Sequence, residues 1–328
     1  MATFGAQFSS VAGPHFPGAF IDLTILEDAQ QQFESQDPRR AMEAVRTLRD
    51  GVSIARQHCS SHDEWKRVFE DRLRAHRALD ALYEDPFIGR AYRKPRGYAG
   101  DAVMLDFIYR HPANQAYLEA TTPRGRASLG ISTNTPAPRA VRNRARMLAA
   151  EIDELCERRP GAAILSMACG HLREGLLSRA VQERAFGRFV ALDQDVESLA
   201  VTRADVGPLG VEAQEGSVKD LIARGARLGQ FDFVYAAGLY DYLNDKVAAR
   251  LLETLFAMLK EGGKLWIANF LPDIADRAFM EAFMDWWLVY RTPQQMLDLA
   301  AVLPAGACSS RRTFVDPEAN IVFLEVCR

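Results

Sequence analysis

The sequence predicts an α/β chain: a seven-stranded, mostly parallel sheet with a C-terminal antiparallel hairpin, preceded by an N-terminal helical region. Three observations predict it. Short apolar runs near 162–167, 188–192, 211–215, 231–237 and 264–269 alternate with helix-length stretches, the pattern of a parallel sheet wrapped by helices. Two more strand-like runs, Ser309–Val315 and Asn320–Val326, are joined by Asp316-Pro317-Glu318-Ala319. They form a hairpin that places one antiparallel strand at or near the sheet edge. Upstream of Pro136 the apolar spacing is helical instead.

Composition excludes several classes of function. The chain has 328 residues, 48% hydrophobic and 25% charged, an ordinary globular balance with room for one large or two ordinary domains. Its net charge of −3 gives no global attraction to nucleic acid or anionic membrane. No apolar run approaches the roughly 20 residues that span a bilayer. The N-terminus lacks the basic start and apolar stretch of a secretion signal. Cys59, Cys156, Cys169, Cys308 and Cys327 show no paired spacing, which fits a reducing cytoplasm. We therefore expect a cytoplasmic protein with no nucleic-acid and no membrane partner; a homodimer is left open.

Residues 1–20 read as a flexible arm, with Phe4, Phe8, Phe16 and Phe20 as docking points. A helical or lid domain spans 21–135. Asp37-Pro38 is an N-cap followed by proline at the first helical position. Ala41, Ala44, Val45, Leu48, Val52 and Ala55 keep the 3.6-residue spacing of one helix face. A second run, from Asp63, lines up Trp65, Val68, Phe69, Leu73, Leu79 and Leu82. His58, Cys59 and His62 find no carboxylate or second cysteine at ligand spacing, so no metal is expected. Next comes Lys94-Pro95-Arg96-Gly97-Tyr98-Ala99-Gly100-Asp101, where glycines bracketing Tyr98 suggest a wall or lid of fixed shape. Between Arg90 and Arg146, 11 Lys/Arg face 3 Asp/Glu: either a solvated basic surface or an anion site near a cleft.

The sheet domain is expected over 136–328. Its entry helix, Pro136 to Arg158, turns Val141, Ala145, Leu148, Ile152 and Leu155 inward. Arg139, Arg142, Arg144 and Arg146 come from its other turns. Ala163–Met167 then stops at the elbow Ala168-Cys169-Gly170, and a helix-like stretch runs from Leu172 to Arg184. Strand, small-residue turn and helix bring backbone N–H groups close to a nucleotide-like ligand. The second strand ends at Asp193, placed to accept both ribose hydroxyls of an adenosine. Gln194, Gly216-Ser217-Val218 and Ala237-Gly238 complete a ring of loops at the strands' carboxyl ends. Asn244 caps a helix expected to end at the glycine C-cap Lys260-Glu261-Gly262-Gly263. A cover insertion, 271–301, precedes the hairpin.

With these residues in view, the chain resembles class I S-adenosylmethionine (SAM) methyltransferases, over roughly Arg139 to Arg328. Their first motif, an acid followed by alternating glycines, is met loosely by Ser166-Met167-Ala168-Cys169-Gly170-His171-Leu172, with Ser166 in place of the acid and Ala168 in place of the first glycine. KPRGYAGD, GLYDYL and DWWLVYR are similar to one branch that carries an N-terminal helical region. That branch includes enzymes similar to bacterial 3-hydroxy fatty acid methyl ester synthases. The resemblance implies a Rossmann-like fold, with SAM as cofactor and S-adenosylhomocysteine (SAH) as product. It implies cofactor contacts from Ala168, Cys169, Gly170, Asp193, Gln194, Gly216, Ser217, Val218, Ala237 and Gly238. One arginine of the entry helix could reach the cofactor carboxylate.

Methyl transfer from a sulfonium needs the acceptor held close and water excluded. A base is needed only when the acceptor arrives protonated. Tyr240, Asp241 and Tyr242 are the candidate catalytic residues. Arg96, Tyr98, Asn269, Trp286, Tyr290 and Arg291 are the candidate substrate contacts. Arg291 reads equally as the cation that ends the cover helix. The expected activity is methylation of a small, carboxylate-bearing metabolite, best guessed as carboxyl O-methylation of a hydroxy acid. One alternative is S- or N-methylation of an amino-acid-like substrate in natural-product biosynthesis, with Arg96 and Asp241 or Asp285 as a charged clamp. Another is a non-catalytic SAM-binding scaffold or sensor. A nucleic-acid methyltransferase guided by 90–146 lacks interleaved aromatics there.

Overall fold

The computed structural model describes residues 24–35, 37–68, 73, 75–224 and 228–328. The expected arm at 1–20 and the apolar position Phe69 lie outside them. The strands are β1 (Ala163–Met167), β2 (Arg188–Asp193), β3 (Val211–Glu215), β4 (Phe231–Ala236), β5 (Leu259–Phe270), β6 (Ser310–Val315) and β7 (Ile321–Cys327). They form a single sheet in the order β3-β2-β1-β4-β5-β7-β6. The first five are parallel neighbours, and β7 runs antiparallel between β5 and β6. This is a Rossmann-like α/β sheet whose order reverses between β1 and β4, the point where such sheets open a crevice for ligand.

The central strands are largely apolar because both faces are covered. In β1 and β4 every residue is buried. Their side chains alternate between two cores. Ile164, Phe233, Tyr235 and Trp266 join the core shared with the helix Pro136–Arg158 and the N-terminal helices. Leu165, Met167, Val234 and Ile267 join the core under the helices Asp245–Ala257 and Pro293–Leu299. The N-terminal helices therefore share one continuous core with a sheet face. Asp37 caps Pro38–Gln57 by accepting from the Arg39 N–H, as its sequence suggests. The same helix meets the cover insertion through Arg56–Glu281 and Arg49–Asp276, ion pairs in which both carboxylates are buried.

Three local expectations are corrected. The stretch after the elbow is two short helices, Arg173–Leu177 and Arg179–Gln182. They break at Ser178, whose hydroxyl donates to Asp153 at 2.6 Å and accepts the Val181 N–H. The helix capped by Asn244 ends at Ala257, and Lys260 to Gly263 belong to a long β5. Gly263 must be glycine, because a Cβ there would meet the Lys260 carbonyl at 2.8 Å. Finally, 286–292 is not helical. It follows Arg277–Phe283 as irregular chain after Asp285, which adopts φ 45°.

Burial also sets a pH dependence. Asp85 caps the helix Pro86–Arg93, accepting from the Phe87 and Ile88 N–H groups and the Ser132 hydroxyl. Complete burial pushes its carboxyl up to about 7 from 3.8. A carboxyl that ionises less readily folded than unfolded weakens folding as pH rises between those two values. Asp85→Asn keeps an acceptor oxygen for the cap and removes the charge. Calorimetric melts should show the variant gaining on the parent chain between pH 4 and 7; a stability difference constant over that range would contradict the assignment.

Candidate active site

The elbow after β1 is built from alternating left-handed residues: Ala168 at φ 53°, Gly170 at φ 55° and Leu172 at φ 49°. Two of these are not glycine, a conformation that costs on the order of 1 kcal/mol or more each and persists only where surroundings enforce it. The enforcing group is Asp193 at the end of β2. Its carboxylate accepts from the Gly170 N–H at 2.8 Å and the Asp195 N–H at 2.9 Å. The Thr202 hydroxyl donates to the Gly170 carbonyl at 2.8 Å. Burial raises the Asp193 carboxyl more than these N–H groups lower it.

Below the helical layer, at the carboxyl ends of β1 to β4, lies a cavity of about 950 Å³. All ten residues expected at the cofactor line it: Ala168, Cys169, Gly170, Asp193, Gln194, Gly216, Ser217, Val218, Ala237 and Gly238. Its roof comes from Tyr98, Gly100, Ala102, Leu105 and Tyr109. Asp106 ties that roof to the elbow, accepting from Arg173 at 2.7 and 2.8 Å and facing His171 Nδ1 at 2.8 Å. Burial alone would raise Asp106, but Arg173 and His171 hold its carboxyl below the ordinary range. His171 Nε2 is buried without a hydrogen-bond partner among the described residues.

The expected acceptor residues divide. Tyr98 and Tyr242 both line the cavity, ring edge to face with centroids 6.2 Å apart. Tyr242 accepts a hydrogen bond from Trp286 Nε1 at 2.8 Å, so its own O–H is left to donate. Gly100 lets these two rings close over it; a Cβ there would collide with the Tyr242 hydroxyl and come within 2.9 Å of Trp286. Trp286 thus acts behind Tyr242.

The other assignments are corrected. Arg291 is 2% exposed, and its guanidinium donates to the Tyr240 and Leu243 carbonyls, Asn269 Oδ1 and Asp245. It locks the β4 and β5 loops together and has no donor left for a substrate. Asn269 is occupied by Arg291 and by the Phe270 and Val289 carbonyls. Asp241 accepts the Phe270 N–H at 2.7 Å, and burial pushes its carboxyl up to about 7. Tyr240 is buried in the second core, and Tyr290 stacks under Arg277 at 4.2 Å. None of these five lines the cavity. Arg96 holds the roof loop to the helix Val196–Asp205 through Asp195, Glu197 and Ser198. Lys94 pairs with Asp285 at 2.6 Å. The charged clamp of Arg96 with Asp241 or Asp285 is therefore not assembled. Much of the basic excess at 90–146 is likewise paired internally, with Arg90 on Asp101, Arg124 on Glu84 and Arg139 on Glu318.

Residues that pattern reading passed over also reach the cavity: His171, Glu174, Leu239, Leu243 and Val247. A signal for the roof contact was present, since Asp106 is a lone acid in the apolar run AVMLDFIY and a buried acid needs a partner.

Residues 164–263 match the methyltransferase domain family. No curated protein matches the sequence. Among solved structures the chain is similar to a possible exported protein from Bordetella parapertussis, at 16% identity over 79% of this chain and 99% of that one, with a TM-score of 0.52. It is also similar to magnesium protoporphyrin IX methyltransferase from Synechocystis PCC 6803 with bound SAH, at 10% identity over 58% and 87% of the two chains and a TM-score of 0.43. A third likeness is to an S-adenosylmethionine-dependent methyltransferase from Mesorhizobium loti, at 20% identity over 52% and 92%, TM-score 0.40. Residues 164–263 are thus a methyltransferase domain on a Rossmann-like sheet, the arrangement of a SAM-dependent enzyme. No helix among the described residues is long and apolar enough to cross a membrane.

The cavity offers features that SAM would use: a carboxylate at the end of β2, a left-handed backbone elbow, and Gly170, Gly216 and Gly238 in its lining. Asp193→Ala should weaken SAM and SAH together by about tenfold or more, since a charged acceptor contributes about 1.5–3 kcal/mol. Unchanged calorimetric affinity for both would contradict the ribose role. Arg291→Ala should lower thermal stability by on the order of 2–4 kcal/mol through its orphaned buried acceptors. A variant as stable as the parent, with only acceptor kinetics altered, would restore Arg291 as a substrate contact.

Proposed function

We propose that the chain transfers the SAM methyl to a small carboxylate-bearing metabolite, with a hydroxy acid O-methylated at its carboxyl as the best-supported acceptor. One observation carries the reading: among the described residues, the cavity wall beyond β4 holds phenols and apolar groups but no base. That wall is Tyr98, Gly100, Gly238, Leu239, Tyr242, Leu243 and Val247. Burial first, then Asp193 and Asp195, raise the Tyr98 phenol above its ordinary value. Tyr242 is 41% exposed and lines the cavity, yet the protein packed around it and the Asp241 carboxylate raise its phenol as well. Both remain O–H donors through the neutral range. An acceptor that arrives deprotonated needs no base, and a carboxylate is such an acceptor.

SAM, when bound, supplies an activated methyl on a positively charged sulfur. The chain's own residues bind, orient and exclude water. Tyr242, its oxygen already accepting from Trp286, would donate to an acceptor carboxylate oxygen. Tyr98 would donate to the neighbouring hydroxyl. Leu239, Leu243 and Val247 keep the mouth dry. Asp241 and Tyr240 support this wall from behind. S-methylation of a thioether also needs no base, but it would leave the two phenol donors without an acceptor of matching charge.

With an accepted hydroxy acid, Tyr242→Phe should lower kcat/KM by about tenfold, the loss of one hydrogen bond to a charged group. SAM affinity should be unchanged. The kcat/KM profile should be flat from about pH 6 to pH 9, because no enzyme base must ionise. A rising limb centred near neutrality, or SAM binding without turnover of any small acid, would contradict the proposal.

A further inference from the structure

Part of the basic excess at 90–146 is not neutralised inside the chain. Arg139, Arg142 and Arg146 follow one another at three- and four-residue spacing along the helix Pro136–Arg158, so they share one face. Arg110 joins them from the end of the roof helix Ala102–Tyr109. It occupies that helix's left-handed C-cap, at φ 53°, a position where glycine is the usual residue. None of the four lines the cavity. Arg139 pairs with Glu318 at 2.8 Å. No carboxylate among the described residues lies within 4.0 Å of the Arg110, Arg142 or Arg146 guanidinium. Like charges at these spacings destabilise a helix, so a face that repeats them needs a compensating anion.

Neutral acceptors bring these guanidinia together. The Asn134 amide nitrogen donates to the Gly130 carbonyl at 2.6 Å, which turns Oδ1 toward Arg110 at 2.6 Å and Arg142 at 3.4 Å. Arg139 donates to the Asn134 carbonyl at 2.7 Å. Arg142 also donates to the Ile108 and Thr133 carbonyls, at 3.0 and 2.7 Å. These contacts fix the forks in direction and leave their charge in place. Burial first, then Arg110, Arg146 and Arg139, hold the Arg142 guanidinium below its ordinary value. An anion between them turns that repulsion into attraction. A carboxylate brings one charge. A phosphate monoester brings about −1.5 to −2 at pH 7 and three acceptor oxygens, which suit two arginine forks at once.

We propose that Arg110 and Arg142 bind the phosphate group of a phosphate monoester on the outer side of the roof, with Arg139 and Arg146 at its rim. The site stands apart from the cavity and does not depend on the methyl-transfer reading. The probes are inorganic phosphate, glycerol 1-phosphate and a phosphoserine pentapeptide with neutral flanks. Each is titrated calorimetrically at constant ionic strength, with and without SAH. Phosphate should bind equally in both conditions. Arg110→Met, at an exposed position, should weaken it by about tenfold, the loss of one charge-assisted contact. Arg142→Met should weaken it at least as much; should that variant fail to fold, Arg110→Met carries the test. Glu318→Gln frees Arg139 from its carboxylate and should tighten phosphate by about threefold. The tighter of the two esters names the source, a metabolite for the glycerol ester and a modified protein for the peptide; equal binding assigns the phosphate group alone. The proposal is overturned if no probe binds, if Arg110→Met binds phosphate as the parent does, if Glu318→Gln binds it more weakly, or if SAH displaces it, which would put the phosphate in the cavity.

Discussion

The site depends on one buried carboxylate, Asp106, held between Arg173 and His171. It sits on a helix of the N-terminal layer; its partners sit just past the β1 elbow. Without that contact the helix Ala102–Tyr109 would present an acid to an apolar core and Arg173 would lose its main counter-ion. With it, the helical layer closes over the open end of the sheet and the crevice becomes a chamber. Breaking one side of a buried pair typically costs about 3–5 kcal/mol, so roof and elbow hold each other in one arrangement.

Within the chamber the charges are sorted. Carboxylate Asp193 stands on the β2 side and also braces the elbow backbone. Arg144 and Glu174 stand near β4. The wall beyond them carries only phenols and apolar groups. Arg291 and Asp241 look like site chemistry but work one layer back, joining the loops after β4 and β5 so that Tyr242 stays in place. Trp286 does the same directly, through its N–H to the Tyr242 oxygen.

The sheet was legible because its signals are local. Apolar runs of strand length, an elbow of small residues and an acid at the tip of β2 need no long-range information, and all seven strands and ten cavity-lining cofactor candidates could be read from them. The acceptor wall was less legible. Tyr98 and Tyr242 were reachable because glycines bracket one and β4 leads to the other. Arg291, Asn269 and Asp241 were misassigned because nothing local reveals that a guanidinium is already occupied by carbonyls from another loop. DWWLVYR was read as helix from its apolar density, but Asp285 takes a left-handed turn and the chain continues without regular secondary structure. Arg144 could not be told from its three neighbouring arginines, since only its burial at the cavity wall distinguishes it.

The central claim is that this chamber methylates a deprotonated small acid. The direct measurement is mass spectrometry of the purified chain incubated with trideuteromethyl SAM and a panel of hydroxy acids, before and after mild alkali. The account predicts a product carrying one labelled methyl that alkali removes, as it does from an ester. A label that survives alkali, or that appears on an amine, a thioether or a polynucleotide, would contradict it.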